Sequence, residues 1–292
     1  MQQAGNLFSS NDLRRIVTET FVEQIDYHEQ IDSTNDRAVE LSDGANGQFP
    51  LLVLAGLQTA GRGRGTNHWW ARSGALTFSV LLATETAQLP AERWPQVSLT
   101  VGLAVCEALE ALIARGVPTA GLSTLPAVSL KWPNDVYIEG RKICGILVEV
   151  PRDRSQRILL GIGINVNNSV AAAPLELQTT ATSLYDLTGR QLALSDVLVQ
   201  VLQQLSVRLQ PADLWNAHVR DGWRRRCLLT GRRVQVDVGV RQTVGICRGI
   251  DDEGALLVDV DADGVGEKLE RCFAGVVTFT CGAEGDRSKF SA

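Results

Sequence analysis

Alternating glycine and arginine at Gly61-Arg62-Gly63-Arg64-Gly65 is a chemically pointed pattern. Glycines let backbone N–H groups approach an anion closely, and guanidinium groups add paired donors of permanent charge. A loop of this kind is expected to be mobile when empty and to order as it closes on a phosphate-bearing ligand. Trp69 and Trp70 end it at once, where a flexible basic linker, the plain alternative, would continue in polar filler. Two better-known phosphate loops do not fit. There is no G-x-x-x-x-G-K-[ST], and the glycine spacing lacks a G-x-G-x-x-G that runs on into a helix.

A second stretch, Lys131-Trp132-Pro133-Asn134-Asp135-Val136, turns at Glu139-Gly140-Arg141 and returns from Lys142 to Glu149. The apolar runs over 128–131 and 143–150 read as the two strands of a hairpin. Pro133 has no backbone donor, so the first strand stops there, and the neighbouring Asn and Asp favour a turn. The hairpin gathers Lys131, Asn134, Asp135, Arg141 and Lys142 at one end of a sheet. Two lysines, an arginine, an amide and a carboxylate can handle a phosphate and a metal ion; solvated charges on a surface turn are the alternative.

Two further segments carry polar groups in telling places. Ser33-Thr34-Asn35-Asp36 reads as a helix start with Ser33 as its cap, and capping alone is the plainest role for Ser33 and Thr34. In Gly161-Ile162-Gly163-Ile164-Asn165, the glycines thin a strand so that a flat ligand can lie on its backbone, with Asn165 reading a polar edge. A sheet bulge is the alternative there.

The elements that must position these groups follow from periodicity. A helix is predicted over 11–24 and a strand over 24–31. The helix after Ser33 turns Ala38 and Leu41 inward and ends at Gly44. Residues 51–57 are almost wholly apolar, as in a strand buried on both faces, and 75–83 gives the next strand. Leu99, Leu103, Cys106, Leu109 and Ile113 recur at helical spacing over 97–115, before Gly116 and Pro118. A strand over 157–166, a loop over 171–180 and one helical turn over 182–187 come next. A helix capped at Ser195 runs to Leu209, and another begins at Pro211 and carries Leu214, Trp215, Val219 and Trp223. From Gly231 the texture changes to five short β-runs: 233–238, 243–248, 255–260, 269–273 and 276–281. Turn residues separate them at Gly239, 252–254 and 261–266, which suggests a small barrel. The predicted division is therefore a large domain over 1–229, a barrel over 230–281 and a polar tail, 282–292, expected to be disordered.

Composition limits the function classes. The 292 residues are long for one domain at ~100–200 residues each. Apolar residues make up 45% and charged ones 21%, the balance of a soluble protein with a full core. A net charge of −5 with no basic block argues against a nucleic-acid surface. No apolar stretch reads as long enough to span a bilayer, and Met1 to Ser10 lacks the layout of a signal peptide. The cysteines at 106, 144, 227, 247, 272 and 281 show no C-x-x-C pairing and read as reduced core residues of a cytosolic protein. Histidines at 28, 68 and 218 are too widely spaced for a zinc site.

The order of motifs resembles that of a biotin protein ligase. It comprises Asp32-Ser33-Thr34-Asn35, Gln58 with the Gly-Arg loop, Lys-Trp-Pro-Asn-Asp with Lys142 and Gly145-Ile146-Leu147-Val148-Glu149, Gly161 to Asn165, and Gly249-Ile250-Asp251-Asp252-Glu253-Gly254-Ala255-Leu256. The resemblance spans about residues 30–281. It implies an α+β fold: a mixed-sheet catalytic domain of the class II synthetase and biotin ligase type with helices on one side, and a C-terminal SH3-like barrel. It also implies that biotin and ATP, with Mg2+, form biotinyl-5′-AMP, and that biotin then passes to one lysine of a carboxyl carrier protein of acetyl-CoA carboxylase or a related carboxylase. A cytoplasmic enzyme that pairs through its sheet is implied as well. A lipoate ligase or lipoyl transferase, which shares the fold and the adenylate logic, and a non-catalytic biotin-binding module are the alternatives.

By the same resemblance, Ser33, Thr34 and Gln58 bind the ureido ring, and Asn35 is a further biotin-binding residue. The Gly61 to Arg64 backbone wraps the ligand, Trp69 walls the site, and Gly145 lies against it. Arg64 and Lys142 face the carboxylate and phosphate. Arg62, Lys131, Asn134 and Asn165 contact the nucleotide. Asp135 is the metal ligand or the acceptor for the incoming amine. The chain departs from the family's pattern in two places. Too few residues precede Asp32 for the helix-turn-helix of relatives that also repress transcription. Gly65-Thr66-Asn67-His68 stands where further basic residues are common.

Overall fold

The computed structural model describes residues 7–42, 48–83, 93–115, 125–151, 157–210, 214–260 and 268–279. The predicted helix stops at Gly44, Gly116 and Pro118, the predicted helix start at Pro211, the turn at 261–266, Cys281 and the tail lie outside the described residues.

The first sheet has seven strands in the order β1-β2-β3-β7-β6-β5-β4. They are β1 Gln24–His28, β2 Leu51–Ala55, β3 Leu76–Ala83, β4 Val128–Lys131, β5 Asp135–Ile138, β6 Arg141–Glu149 and β7 Arg157–Ile164. Only β1 and β2 run parallel; the other pairs are antiparallel. Directly paired residues share a face, so the register sorts the sheet into two sides. Leu52, Val80, Leu160 and Val148 form one row, and Leu54, Phe78, Ile162 and Ile146 the next. This side is packed by the long helices α3 (Trp94–Ala114) and α6 (Leu194–Arg208), and by α1 (Ser10–Glu19) and α7 (Ala217–Arg226), into the main core. The opposite side carries Val53, Ser79, Gly161 and Leu147 in one row, then Gly163, Gly145, Asp135 and Lys131. Here α2 (Thr34–Ser42) packs on the sheet, its Ala38 joining Leu51, Val53, Leu81 and Leu159 in a small second core. The glycine-lined remainder of that side is open to the functional site.

Several sequence expectations need correction. The predicted two-strand hairpin is a three-stranded meander. Residues 132–134 alone join β4 to β5, and Glu139-Gly140 joins β5 to β6. Both turn residues have positive φ, 50° and 73°, the requirement of a tight hairpin turn that follows the sheet twist. The expected loop over 171–180 contains a 3-10 turn at Val170–Ala172 and α4 (Leu175–Thr180), followed by α5 (Leu184–Thr188). Helix α7 starts at Ala217, capped by the Asn216 side chain, so Leu214 and Trp215 precede it. Finally, α3, with 21 residues and a mean hydropathy of 1.8, is long and apolar enough to cross a membrane by composition alone. It is instead the central helix of the core, with Val101, Leu103, Ala104, Val105, Cys106 and Ala108 wholly buried.

The second sheet is antiparallel, in the order β11-β10-β9-β8-β12. Its strands are β8 Arg233–Val238, β9 Arg241–Ile250, β10 Leu256–Asp259, β11 Leu269–Cys272 and β12 Val276–Phe279, an SH3-like arrangement. It docks on the first sheet through indole donors. Trp132 Nε1 donates to Gly254 O at 3.0 Å, and Trp215 Nε1 to Asp252 O at 2.8 Å. Gly254 is required at that turn: its φ is +88°, and a Cβ would stand 2.6 Å from Leu99.

Candidate active site

A cavity of about 380 Å³ opens on the glycine-lined side of the first sheet. The Gly-Arg loop roofs it, the start of α2 and Gln58 form one end, and the β4–β6 meander forms the other. Gly275, Val276 and Val277 of the second sheet complete the wall. The loop is a small folded unit: Gly63 N donates to Asn67 O at 2.8 Å, and Trp69 N to Gly61 O at 2.9 Å. Its conformation is latched to the second sheet by Arg64 Nη1, 3.0 Å from Gly275 O.

At the α2 end, Ser33 caps the helix through Asp36 N at 3.3 Å and is buried, so the plain capping role is real. Thr34 N and Oγ1 both donate to Gln58 Oε1, at 2.7 and 2.9 Å. With its carbonyl engaged in this way, Gln58 keeps its NH2 end for a ligand acceptor. Asn35 also borders the cavity, yet both ends of its amide are committed: Nδ2 donates to Glu149, and Oδ1 accepts from Ser79. These bonds leave one N–H and one lone pair of the amide beside the cavity.

At the other end, Lys142 Nζ is 3.0 Å from Asp135 Oδ1. Lys131 is buried and stands over the rings of Tyr137 and Phe279, at 5.9 and 5.8 Å from their centroids. Burial pushes the Lys131 ammonium below its usual pKa; Asp135 opposes this and Lys142 adds to it. Burial likewise lowers Arg64, with Asp135 opposing. Burial also works against the charge on Arg62, but Glu149 and Asp36 outweigh it and hold that guanidinium above its ordinary range. Three cations and one carboxylate therefore share this end, leaving it short of negative charge. An anion is what it lacks.

Of the residues singled out in the sequence, Ser33, Thr34, Asn35, Gln58, Arg62, Gly63, Arg64, Trp69, Lys131, Asn134, Asp135, Lys142 and Gly145 border this one cavity. Gly61 lies behind it, where a Cβ would be 2.8 Å from Trp69 O. Asn165 is not among the bordering residues. It is buried, donating to Thr182 O at 3.0 Å and accepting from Asn168 Nδ2 at 2.9 Å. Asn134 Nδ2 is similarly occupied by Ile146 O at 2.7 Å. The flat group lying on Gly163 is a side chain of the protein itself. A Cβ at Gly163 would meet Trp69 Cε2 at 2.4 Å, and one at Gly161 would meet Asn35 Oδ1 at 2.1 Å.

Asp135, expected as a metal ligand or as the acceptor for the amine, pairs with Lys142, and its charge favours the ionised forms of Lys131 and Arg64. Among the described residues, no group of three His, Cys, Asp or Glu side chains could hold a metal ion. Residues the sequence reading passed over include Ser79 and Glu149, which hold Asn35, and the 275–277 segment. Ser79 had a signal, a small hydroxyl at the centre of the mostly apolar run Leu76–Ala83.

Comparison with known proteins agrees with this geometry. The biotin/lipoate A/B protein ligase family model matches residues 27–165. The chain is similar to a biotin–[acetyl-CoA-carboxylase] ligase of Mycobacterium tuberculosis, 36% identical over 81% of this chain and 84% of the relative. It is also similar to the bifunctional ligase/repressor BirA of Bacillus subtilis, 31% identical over 89% of this chain and 77% of that one. Among solved structures, the biotin protein ligase of Aquifex aeolicus in complex with biotin and ATP superimposes with a TM-score of 0.71 at 28% identity. That match covers 88% of this chain and 99% of the other. Similarity sustained at this level over both sheets means that the chain belongs to the biotin protein ligase family.

Proposed function

We propose that this protein joins biotin to ATP as biotinyl-5′-AMP, releasing pyrophosphate, and passes the biotinyl group to one lysine of a biotin carboxyl carrier protein. The observation that carries this reading is the convergence of Ser33, Thr34 and Gln58, Arg62 to Arg64, and Lys142 on one cavity. A carboxylate is a poor acylating agent. In the first step its oxygen attacks the α-phosphorus, and the bond to the departing pyrophosphate breaks. Two anionic groups must meet there, and preorganised cations lower that cost most in a site shielded from water. Arg64 and Lys142 are the cations at that end, with Lys131 buried behind them.

Recognition of the ring falls to the α2 end. The free NH2 of Gln58 and the hydroxyls of Ser33 and Thr34 are matched to a ureido group, and Trp69 supplies the apolar wall. Lys131, Asn134 and Arg62 are assigned to the nucleotide side. In the second step a lysine amine attacks the acyl carbon and AMP leaves. An amine with an ordinary pKa of about 10.4 must shed a proton to react. Asp135, the single carboxylate bordering the cation-rich end, is the acceptor we assign, with Lys142 holding it in place.

The catalytic unit is taken as 1–229, with the second sheet, 230–281, closing the site through Arg64 and Gly275. The acceptor is read as the carrier domain of acetyl-CoA carboxylase or a related carboxylase in the cytoplasm, and pairing through the sheet is part of the reading; DNA and membrane are not. The test is mass spectrometry of a carrier domain incubated with this protein, Mg-ATP and either biotin or lipoate. A mass gain of one biotinyl group on one lysine is expected. Lipoyl addition alone, or no pyrophosphate release with biotin, would refute the proposal.

A further inference from the structure

Glu149 ends β6 on the cavity side of the first sheet, paired across the ladder with Leu159. Its carboxylate touches two parts of the site at once. Oε2 accepts from Asn35 Nδ2 at 2.8 Å, and Oε1 accepts from Arg62 Nη2 at 2.6 Å, with Arg62 Nη1 3.1 Å from Oε2. Asp36 holds the same guanidinium from the other side, 2.7 Å from Nη1. The Arg62 limb of the loop is thus clamped between two carboxylates.

Donor counting fixes the rest. A carboxylate only accepts, so the NH2 end of Asn35 must face Glu149 and its oxygen must face Ser79. Ser79 is wholly buried and has one hydroxyl hydrogen, which the Asn35 oxygen takes at 2.6 Å; Thr34 Oγ1 lies 2.7 Å from the same hydroxyl. Gly161 leaves the space in which the Asn35 amide sits. Reversing Asn35 would break both bonds. Its orientation depends on Glu149.

An exposed ion pair between arginine and glutamate contributes little by itself. Here the pair is bidentate and shares its carboxylate with an amide that is 5% exposed. We propose that Glu149 is a positioning residue that sets the Asn35 amide beneath the ring-binding recess and anchors the Arg62 limb of the loop. Filling the recess and closing the loop are thereby coupled. The inference rests on the ligase reading for its substrate, but the anchoring is testable without it.

Three variants decide the matter: Glu149→Ala, Asn35→Asp, and the reciprocal pair Asn35→Asp/Glu149→Gln, which exchanges donor and acceptor. In pyrophosphate release, loss of a charged hydrogen bond should raise the biotin KM by about tenfold or more in each single variant. The ATP KM should stay close to wild type, and the reciprocal pair should recover most of the biotin KM. In the free protein, trypsin should cut after Arg62 several-fold faster in E149A than in wild type. A general loss of fold would not be rescued by the reciprocal pair. Unchanged biotin KM in both single variants, or a reciprocal pair no better than the worse single, would overturn the proposal. Should wild type release no pyrophosphate with biotin, the ligase reading falls, and the tryptic rates decide the anchoring alone. Equal rates in E149A and wild type sink it; faster cleavage in E149A sustains it.

Discussion

Lys142 reaches Asp135 at 3.0 Å because of a register shift in the β5–β6 ladder. Asp135 pairs with Gly145 and Val136 with Cys144, but Tyr137 pairs with Lys142, so Ile143 is the extra residue. Alternation alone would put Ile143 on the cavity side with Gly145. The bulge returns Ile143 to the core, where it is fully buried, and turns Lys142 to the cavity. Lys142→Ala or Arg64→Ala should each slow biotin-dependent pyrophosphate release at least about tenfold, since a charged hydrogen bond contributes ~1.5–3 kcal/mol. Stopped-flow detection of pyrophosphate checks this, and rates near wild type in both variants would refute the assignment.

Gly163 makes room for Trp69, whose indole occupies the place a side chain would take. Gly163→Ala sets a methyl 2.4 Å from Cε2, so the ring must move. Overpacking of this kind costs about 1–3 kcal/mol. Weaker biotin binding by calorimetry and a lower urea midpoint are expected together. The same substitution at Gly65, where a Cβ meets nothing but φ is +65°, should disturb only the loop's turn and leave the indole in place, as tryptophan fluorescence would report.

The motifs were legible because each is local: glycine and arginine in alternation, proline at a strand end, a cap before an amphipathic helix. What was hidden depends on register. Nothing in Lys142-Ile143-Cys144 announces a bulge, and the brevity of the 132–134 connection concealed a third strand. Gly161 and Gly163 were correctly seen as thinning a strand. Whether a ligand or the protein's own Asn35 and Trp69 fill that space is settled by elements more than ninety residues distant in the sequence. Asn165 is a related case: a polar residue after glycines invites a ligand-binding role, and nothing local in the sequence announces the bonds of its amide to Thr182 and Asn168.

Lys131 should leave a signature in the pH dependence of stability. Its folded pKa is lowered from 10.5 by burial, so between the lowered value and 10.5 the unfolded chain binds the extra proton. Stability then rises with pH across that window. Lys131→Met removes the contribution. The excess stability of the methionine variant over wild type should be largest near neutral pH and shrink as pH rises toward about 10, the range in which unfolded lysine titrates. Urea midpoints of the two proteins measured side by side test this; a gap independent of pH would contradict it.

Among the described cysteines, Cys227 should react first. The neighbouring Cys247 side chain, Thr230 and the backbone at Leu229 and Thr230 favour its thiolate against burial and hold its thiol below the ordinary range. Cys106 and Cys144 are wholly buried, and their thiols are pushed up by burial. The thiolate is the nucleophile, so iodoacetamide near neutral pH should label Cys227 ahead of Cys106, Cys144, Cys247 and Cys272, with a rate that starts to fall at a lower pH than for an ordinary thiol. Cys247→Ala removes the main donor and should move that fall toward the ordinary thiol range of about 8.5. Peptide mapping by mass spectrometry reads both effects. Labelling spread evenly over the cysteines, or a profile indifferent to Cys247, would show that the two sulfurs are not coupled.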